Sequence, residues 1–129
     1  MFNNNSTKYY GGAIYVGENG KVCDGVDATD GETVVEKAGS HFEINTASYG
    51  GAIHLAKVED PEKTPDNIAG TAELYGTKFV SNAANNAGGA IYGSTGSEIT
   101  LNEIFFNSNE ADKGGAIGTA TTATLIDNG

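Results

Sequence analysis

Phe79-Val80-Ser81-Asn82-Ala83-Ala84-Asn85-Asn86-Ala87-Gly88-Gly89-Ala90-Ile91 holds two short phrases, Phe-x-x-Asn and Gly-Gly-Ala-Ile, that return together along the chain. The first stands at Phe2 and Asn5, Phe42 and Asn45, Phe79 and Asn82, and Phe106 and Asn109. The second stands at Gly11-Gly12-Ala13-Ile14, Gly50-Gly51-Ala52-Ile53, Gly88-Gly89-Ala90-Ile91 and Gly114-Gly115-Ala116-Ile117. Four coupled copies mark an internal repeat rather than chance. The glycine pairs are 39, 38 and 26 residues apart, so the shortest interval shows the minimal unit and the two longer ones carry insertions.

Within the minimal unit, Ala90-Ile91-Tyr92, Glu98-Ile99-Thr100-Leu101 and Ile104-Phe105-Phe106 are short apolar or alternating pieces separated by Gly, Ser and Asn. Their length and β-branched or aromatic content predict strands, and no window keeps a helical period. Three brief strands per unit, each returning to the same place, let successive coils hydrogen-bond about 4.8 Å apart and stack Ile on Ile and Phe on Phe. The fold expected is all-β: a short right-handed parallel β-helix, or solenoid, of about three to four coils with two inserted loops, occupying residues 1–129 as a single segment. Asn5, Asn45, Asn82 and Asn109 are expected to form a polar ladder at a turn, where Asn tolerates unusual dihedrals. The paired glycines are expected to supply close coil passage or positive φ. The insertions are placed at about 17–32 and 56–70, with strands resuming at Thr33-Val34-Val35 and at Ala72-Glu73-Leu74-Tyr75, and both are expected to face outward.

Composition removes several function classes. Nineteen glycines with only two prolines and 38% hydrophobic residues fit neither collagen nor disorder. Seventeen acids, seven lysines and no arginine give a formal charge of -10, which argues against a nucleic-acid partner. One cysteine, Cys23, cannot build a disulfide framework. No apolar run is long enough to span a membrane directly, and Met1-Phe2-Asn3-Asn4-Asn5 does not read as a signal peptide.

The coupled Phe-x-x-Asn and Gly-Gly-Ala-Ile phrases, over residues 2 to 117, resemble the polymorphic outer-membrane-protein repeat of right-handed parallel β-helix passenger domains in autotransporters and adhesin-like proteins. The resemblance implies export, an extracellular or cell-surface position and adhesion. It implies that the repeat residues Phe2, Asn5, Gly11, Gly12, Ile14, Phe42, Asn45, Gly50, Gly51, Ile53, Phe79, Asn82, Gly88, Gly89, Ile91, Phe106, Asn109, Gly114, Gly115 and Ile117 build the shaft rather than carry chemistry. The chain then reads as a fragment of a longer passenger or adhesin shaft. Its expected function is a non-enzymatic structural segment presenting loops to a host or neighbouring-cell protein or glycan, with self-association through coil ends as a further contact. The alternatives are a polysaccharide lyase or glycoside hydrolase and a passive spacer.

Two sets of residues are candidates for ligand contact. Tyr15, His54 and Tyr92 each follow the repeat isoleucine, so alternation places them on the outer face of one sheet, where a ring could meet a sugar or a partner. Asp24, Asp27, Asp30 and Glu32 form an acidic run beside two glycines, a candidate calcium loop that lacks the EF-hand order. No other cofactor is expected. For catalysis, Glu43, Glu73, Glu98, Glu103 and Glu110 share no repeat position with a basic partner, and glycosidic chemistry needs two carboxylates facing each other across a cleft.

Overall fold

A computed structural model describes residues 1–25, 28–30, 33–35, 39–120 and 122–127. The repeat phrases lie directly above one another in a right-handed parallel β-helix. One sheet is made of Phe2–Asn3, His41–Glu43, Lys78–Val80 and Phe105–Asn107, in register so that Phe2, Phe42, Phe79 and Phe106 are neighbours. A second is made of Ile14–Val16, Ile53–Leu55, Ile91–Gly93 and Ile117–Thr119, aligning the four isoleucines. The third joins Lys21–Asp24, Thr71–Tyr75, Glu98–Asn102 and Thr124–Asp127. All these pairings are parallel, as a coil that returns to its starting place requires.

Period-2 alternation decides what is inside. Phe42, Phe79, Ile53, Leu55, Ile91, Leu74, Ile99 and Leu101 form one continuous buried cluster. The phenylalanine rings stack at centroid separations of 4.6, 5.0 and 5.3 Å and within 13° of parallel. Those separations follow the coil spacing.

The two glycines of each pair do different work. Gly11, Gly50, Gly88 and Gly114 have φ between +55° and +66°, which L side chains rarely adopt. The second glycine is where two coils nearly touch: a Cβ on Gly51 would lie 2.0 Å from the carbonyl oxygen of Gly89. The ladder therefore continues through the corner, and the carbonyl of Ala90 accepts the N–H groups of both Ala52 and Ile53 at 2.9 Å.

The asparagines line the opposite corner. Asn45 Oδ1 accepts the backbone N–H of Asn5 at 3.0 Å and its Nδ2 at 2.9 Å, Asn82 Oδ1 does the same for Asn45, and Asn109 Oδ1 for Asn82. Each Nδ2 also donates back to the phenylalanine carbonyl of the preceding coil: Asn45 to Phe2, Asn82 to Phe42 and Asn109 to Phe79. Asn45 and Asn82 are fully buried. A backbone N–H must meet oxygen, so the network itself fixes which way each amide points.

The structure departs from the sequence expectation in two places. A fourth ladder follows the asparagine, where Thr46–Tyr49 pairs with Ala83–Ala87 and single bridges extend it to Ser6, Tyr10, Glu110 and Lys113. Small alanines and asparagines do not announce a strand, yet the coil needs the backbone pairing. The first insertion is also displaced. Residues 17–20 make only a tight turn, like 94–97, and Lys21–Asp24 is the sheet strand; the excursion starts at Gly25, and Thr33–Val35 pairs antiparallel with Ala28–Asp30. Thr33-Val34-Val35 has the stronger β-propensity, but the register of Lys21–Asp24 against Thr71 to Leu74 decides. The two insertions therefore leave at different corners, one after the third sheet and one, 56–70, before it.

Two stability predictions follow from the asparagine corner. Asn82→Ala removes the acceptor of two donors of buried Asn45 and should cost about 4 kcal/mol, against about 1 kcal/mol for Asn5→Ala, which takes from Asn45 Oδ1 only one of its two donors and leaves the backbone N–H in place. Equal losses in urea unfolding would refute this reading. The residue before each asparagine has positive φ, at Asn4, Ile44, Ser81 and Ser108, and Ile44 (φ 53°) is a β-branched side chain held there while half exposed. Ile44→Asn should raise stability by about 1 kcal/mol, read as a higher Tm.

Candidate functional site

The outer face of the isoleucine sheet carries Tyr15, His54, Tyr92 and Gly118 in register. Tyr15 and His54 stack at 5.5 Å and 4°, and His54 and Tyr92 at 5.5 Å and 19°. A second file stands beside it, formed by the residue before each glycine pair: Tyr10, Tyr49, Ala87 and Lys113. Tyr10 lies 4.5 Å from His54, and Tyr49 lies 5.0 Å from Tyr92. Four tyrosines and a histidine thus converge across three coils. Sequence reasoning found Tyr15, His54 and Tyr92 from alternation; it passed over Tyr10 and Tyr49, whose signal was their shared place ahead of Gly-Gly.

His54 is on the outer face yet only 4% exposed, because the tyrosines cover it. Burial lowers its pKa to about 4, with the Tyr49 backbone offsetting part of the shift. Its Nε2 is 3.3 Å from Ser94 Oγ, and its Nδ1 makes no well-formed hydrogen bond. Burial, with some help from Tyr49 and Tyr10, raises the pKa of Tyr92. At neutral pH the centre of the cluster is therefore polar in its atoms but uncharged.

The rings border a shallow hollow of about 220 Å³, closed on one side by Ala56, Lys57 and Glu59 at the root of the second insertion and by Ser94. Small apolar and aromatic walls with a few polar groups are the usual makings of a ligand site. The Ser94–His54 contact does not amount to a nucleophilic triad: it is long, and among the described residues no carboxylate bonds the other imidazole nitrogen.

The acidic run is only partly within the described residues. Asp27 and Glu32 lie outside them, and Asp30 ends the strand Ala28–Asp30. Asp24 accepts hydrogen bonds from the Ser40 N–H (2.7 Å), the Ser40 hydroxyl (2.6 Å) and the Thr77 hydroxyl (2.6 Å), bracing the base of the insertion against the next coil. Among the described residues no group of three or more His, Cys, Asp or Glu side chains is placed to hold a metal ion. Of the carboxylates considered for catalysis, Glu43 is on the phenylalanine sheet and Glu110 at the fourth ladder, whereas Glu73 and Glu98 stand on neighbouring strands of the third sheet, Glu73 ion-paired with Lys21 at 3.0 Å, and Glu103 follows the strand of Glu98.

Residues 1–17 match the family described as the Chlamydia polymorphic membrane protein (Chlamydia_PMP) repeat. That stretch contains the first copies of both phrases, and the later copies stack on it in register. Neither a curated protein nor a solved structure matches the chain. Among the described residues no helix is long and apolar enough to cross a membrane.

The depressed His54 pKa has a stability consequence. Above pH 6.5 the imidazole is neutral folded or unfolded; between about 6.5 and 4 the unfolded chain takes up the proton first, so stability falls as pH drops across that window. The loss amounts to about 3 kcal/mol and levels off below pH 4 as far as this group is concerned. Thermal melts of the chain and of His54→Phe should differ in slope over that window. Parallel curves would show that His54 is not the group responsible.

Proposed function

We propose that this chain is a non-enzymatic, adhesin-like segment of a cell-surface or secreted β-helical protein, presenting its outer aromatic cluster and the adjoining 56–70 loop to a binding partner. One observation carries the reading. The repeat residues are consumed in the shaft, whereas the tyrosines are superfluous to it: where they give way to Gly118, Ala87 and Lys113, the coils pair in the same register. Large exposed aromatics that a fold does not need point to contact with something else, and Tyr10 and Tyr15 are each about half exposed. The match of residues 1–17 to a membrane-protein repeat supports the surface location.

Coil three shows how the shaft closes without such a loop, since there the turn 94–97 links the same two sheets. Beads coated with the 129-residue chain should adhere to cultured epithelial cells. Replacing 56–70 with Ser-Thr-Gly-Ser should reduce adhesion by about tenfold, a loss equivalent to roughly 1.4 kcal/mol. Adhesion no better than that of albumin-coated beads defeats the proposal. Release of unsaturated or reducing ends from pectin or alginate would favour the enzymatic alternative instead.

A further inference from the structure

We infer that the hollow between the two tyrosine files is a subsite for one neutral hexopyranose unit of a glycan, a reading that rests on the binding role proposed above and names its ligand. A sugar ring has an apolar C–H face and a rim of hydroxyls, so its site needs aromatic surface together with donors and acceptors close by. The hollow offers that combination: Tyr10, Tyr49 and Tyr92 supply rings with hydroxyl tips, and Lys57 and Glu59 add a donor and an acceptor on one wall. At about 220 Å³ it suits a single ring rather than an extended chain or a folded domain.

Charge narrows the class. The chain carries a formal charge of -10, and among the described residues lining the hollow the one lysine, Lys57, is matched by Glu59. Sialylated and sulfated sugars would approach against that field, so the unit recognised is uncharged. His54 fits the same picture. It is neutral and almost fully buried, and it lies between Tyr15 and Tyr92 as a ring that fixes the spacing of the tyrosines rather than as a charge.

The placement of the rings is independent support. Both tyrosine files are filled in coils one and two, next to the root of the 56–70 loop, and both are empty of aromatics in coil four, where Gly118 and Lys113 stand. The Tyr92 ring reaches over Gly118, whose added Cβ would come within 3.2 Å of Tyr92 Cδ2. The aromatic cluster is thus local to the loop-bearing side of the shaft.

The test is titration of the intact chain with methyl glycosides of glucose, galactose, mannose and N-acetylglucosamine, with 3′-sialyllactose as the anionic probe. Because the chain has no tryptophan, its ultraviolet emission reports tyrosine directly, and amide NMR shifts locate the site. At least one neutral glycoside should bind with a Kd of about 1 mM, moving the resonances of Tyr10, Tyr49, His54 and Tyr92. Tyr49→Ala, which installs the residue that coil three carries at that ladder position, should keep the fold and weaken binding about tenfold. Three results overturn the inference: no shift with any neutral glycoside, tighter binding of sialyllactose, or an unchanged titration in Tyr49→Ala. If beads still adhere to cells while no glycoside binds, the sugar subsite fails and the surface-binding proposal stands; if neither occurs, both fail.

Discussion

Everything in this structure depends on one repeated hydrogen-bond unit, the buried asparagine amide. A parallel β-helix must turn its chain at corners where neighbouring coils cannot form regular ladders, and the polar groups stranded there would be costly to bury. Asn45 and Asn82 meet that cost by using the whole amide: Oδ1 takes two donors from the coil before, and Nδ2 gives one bond to the next asparagine and one back to a phenylalanine carbonyl. Aspartate would lose both donations, and glutamine would overshoot the carbonyl. The corner also forces the preceding residue into positive φ, which is why even Ile44 is held there. Strain at one residue is offset by satisfaction at the next.

The other corner solves a different problem by subtraction. There the backbones of adjacent coils approach so closely that no Cβ fits, and the N–H groups of consecutive residues converge on one carbonyl. Between these two corners the phenylalanines and isoleucines need only be apolar and in register. A long shaft can grow from such a unit because each coil meets only its neighbours. It can also tolerate an excursion between any two sheets, provided that the next strand re-enters at its own ladder position.

How much of this was legible in the sequence follows from that division. The coil, its sheets and its inward residues were readable because Phe, Asn, Gly-Gly and Ile recur at equivalent positions, and parallel stacking turns sequence equivalence into spatial contact. The exit point of the first insertion was not readable. Lys21-Val22-Cys23-Asp24 and Thr33-Val34-Val35 both look like strands locally, and only pairing with Thr71 to Leu74 separates them. The fourth ladder was hidden for the same reason, since Ala83 to Ala87 has little strand propensity of its own and is extended because its neighbours are. Tyr15, His54 and Tyr92 were found through alternation, but not that Tyr10 and Tyr49 would cover His54, because that depends on the width of the glycine corner.

That corner width is what joins the scaffold to the aromatic surface. The Gly-Gly turn brings the residue before it and the third residue after it, the one following Ile, onto adjoining faces, so Tyr10 and Tyr49 reach the outer file of the next sheet. A larger residue at either glycine would push the two files apart and open His54 to solvent. The same turn recurs beneath Lys113 and Gly118 without rings, so the geometry permits an aromatic cluster at every coil but does not demand one. Occupation of those positions is therefore a property of this chain's surface rather than of its fold. Chains built on the same phrases could hold one shaft constant and vary what they display simply by changing the residues before Gly-Gly and after Ile.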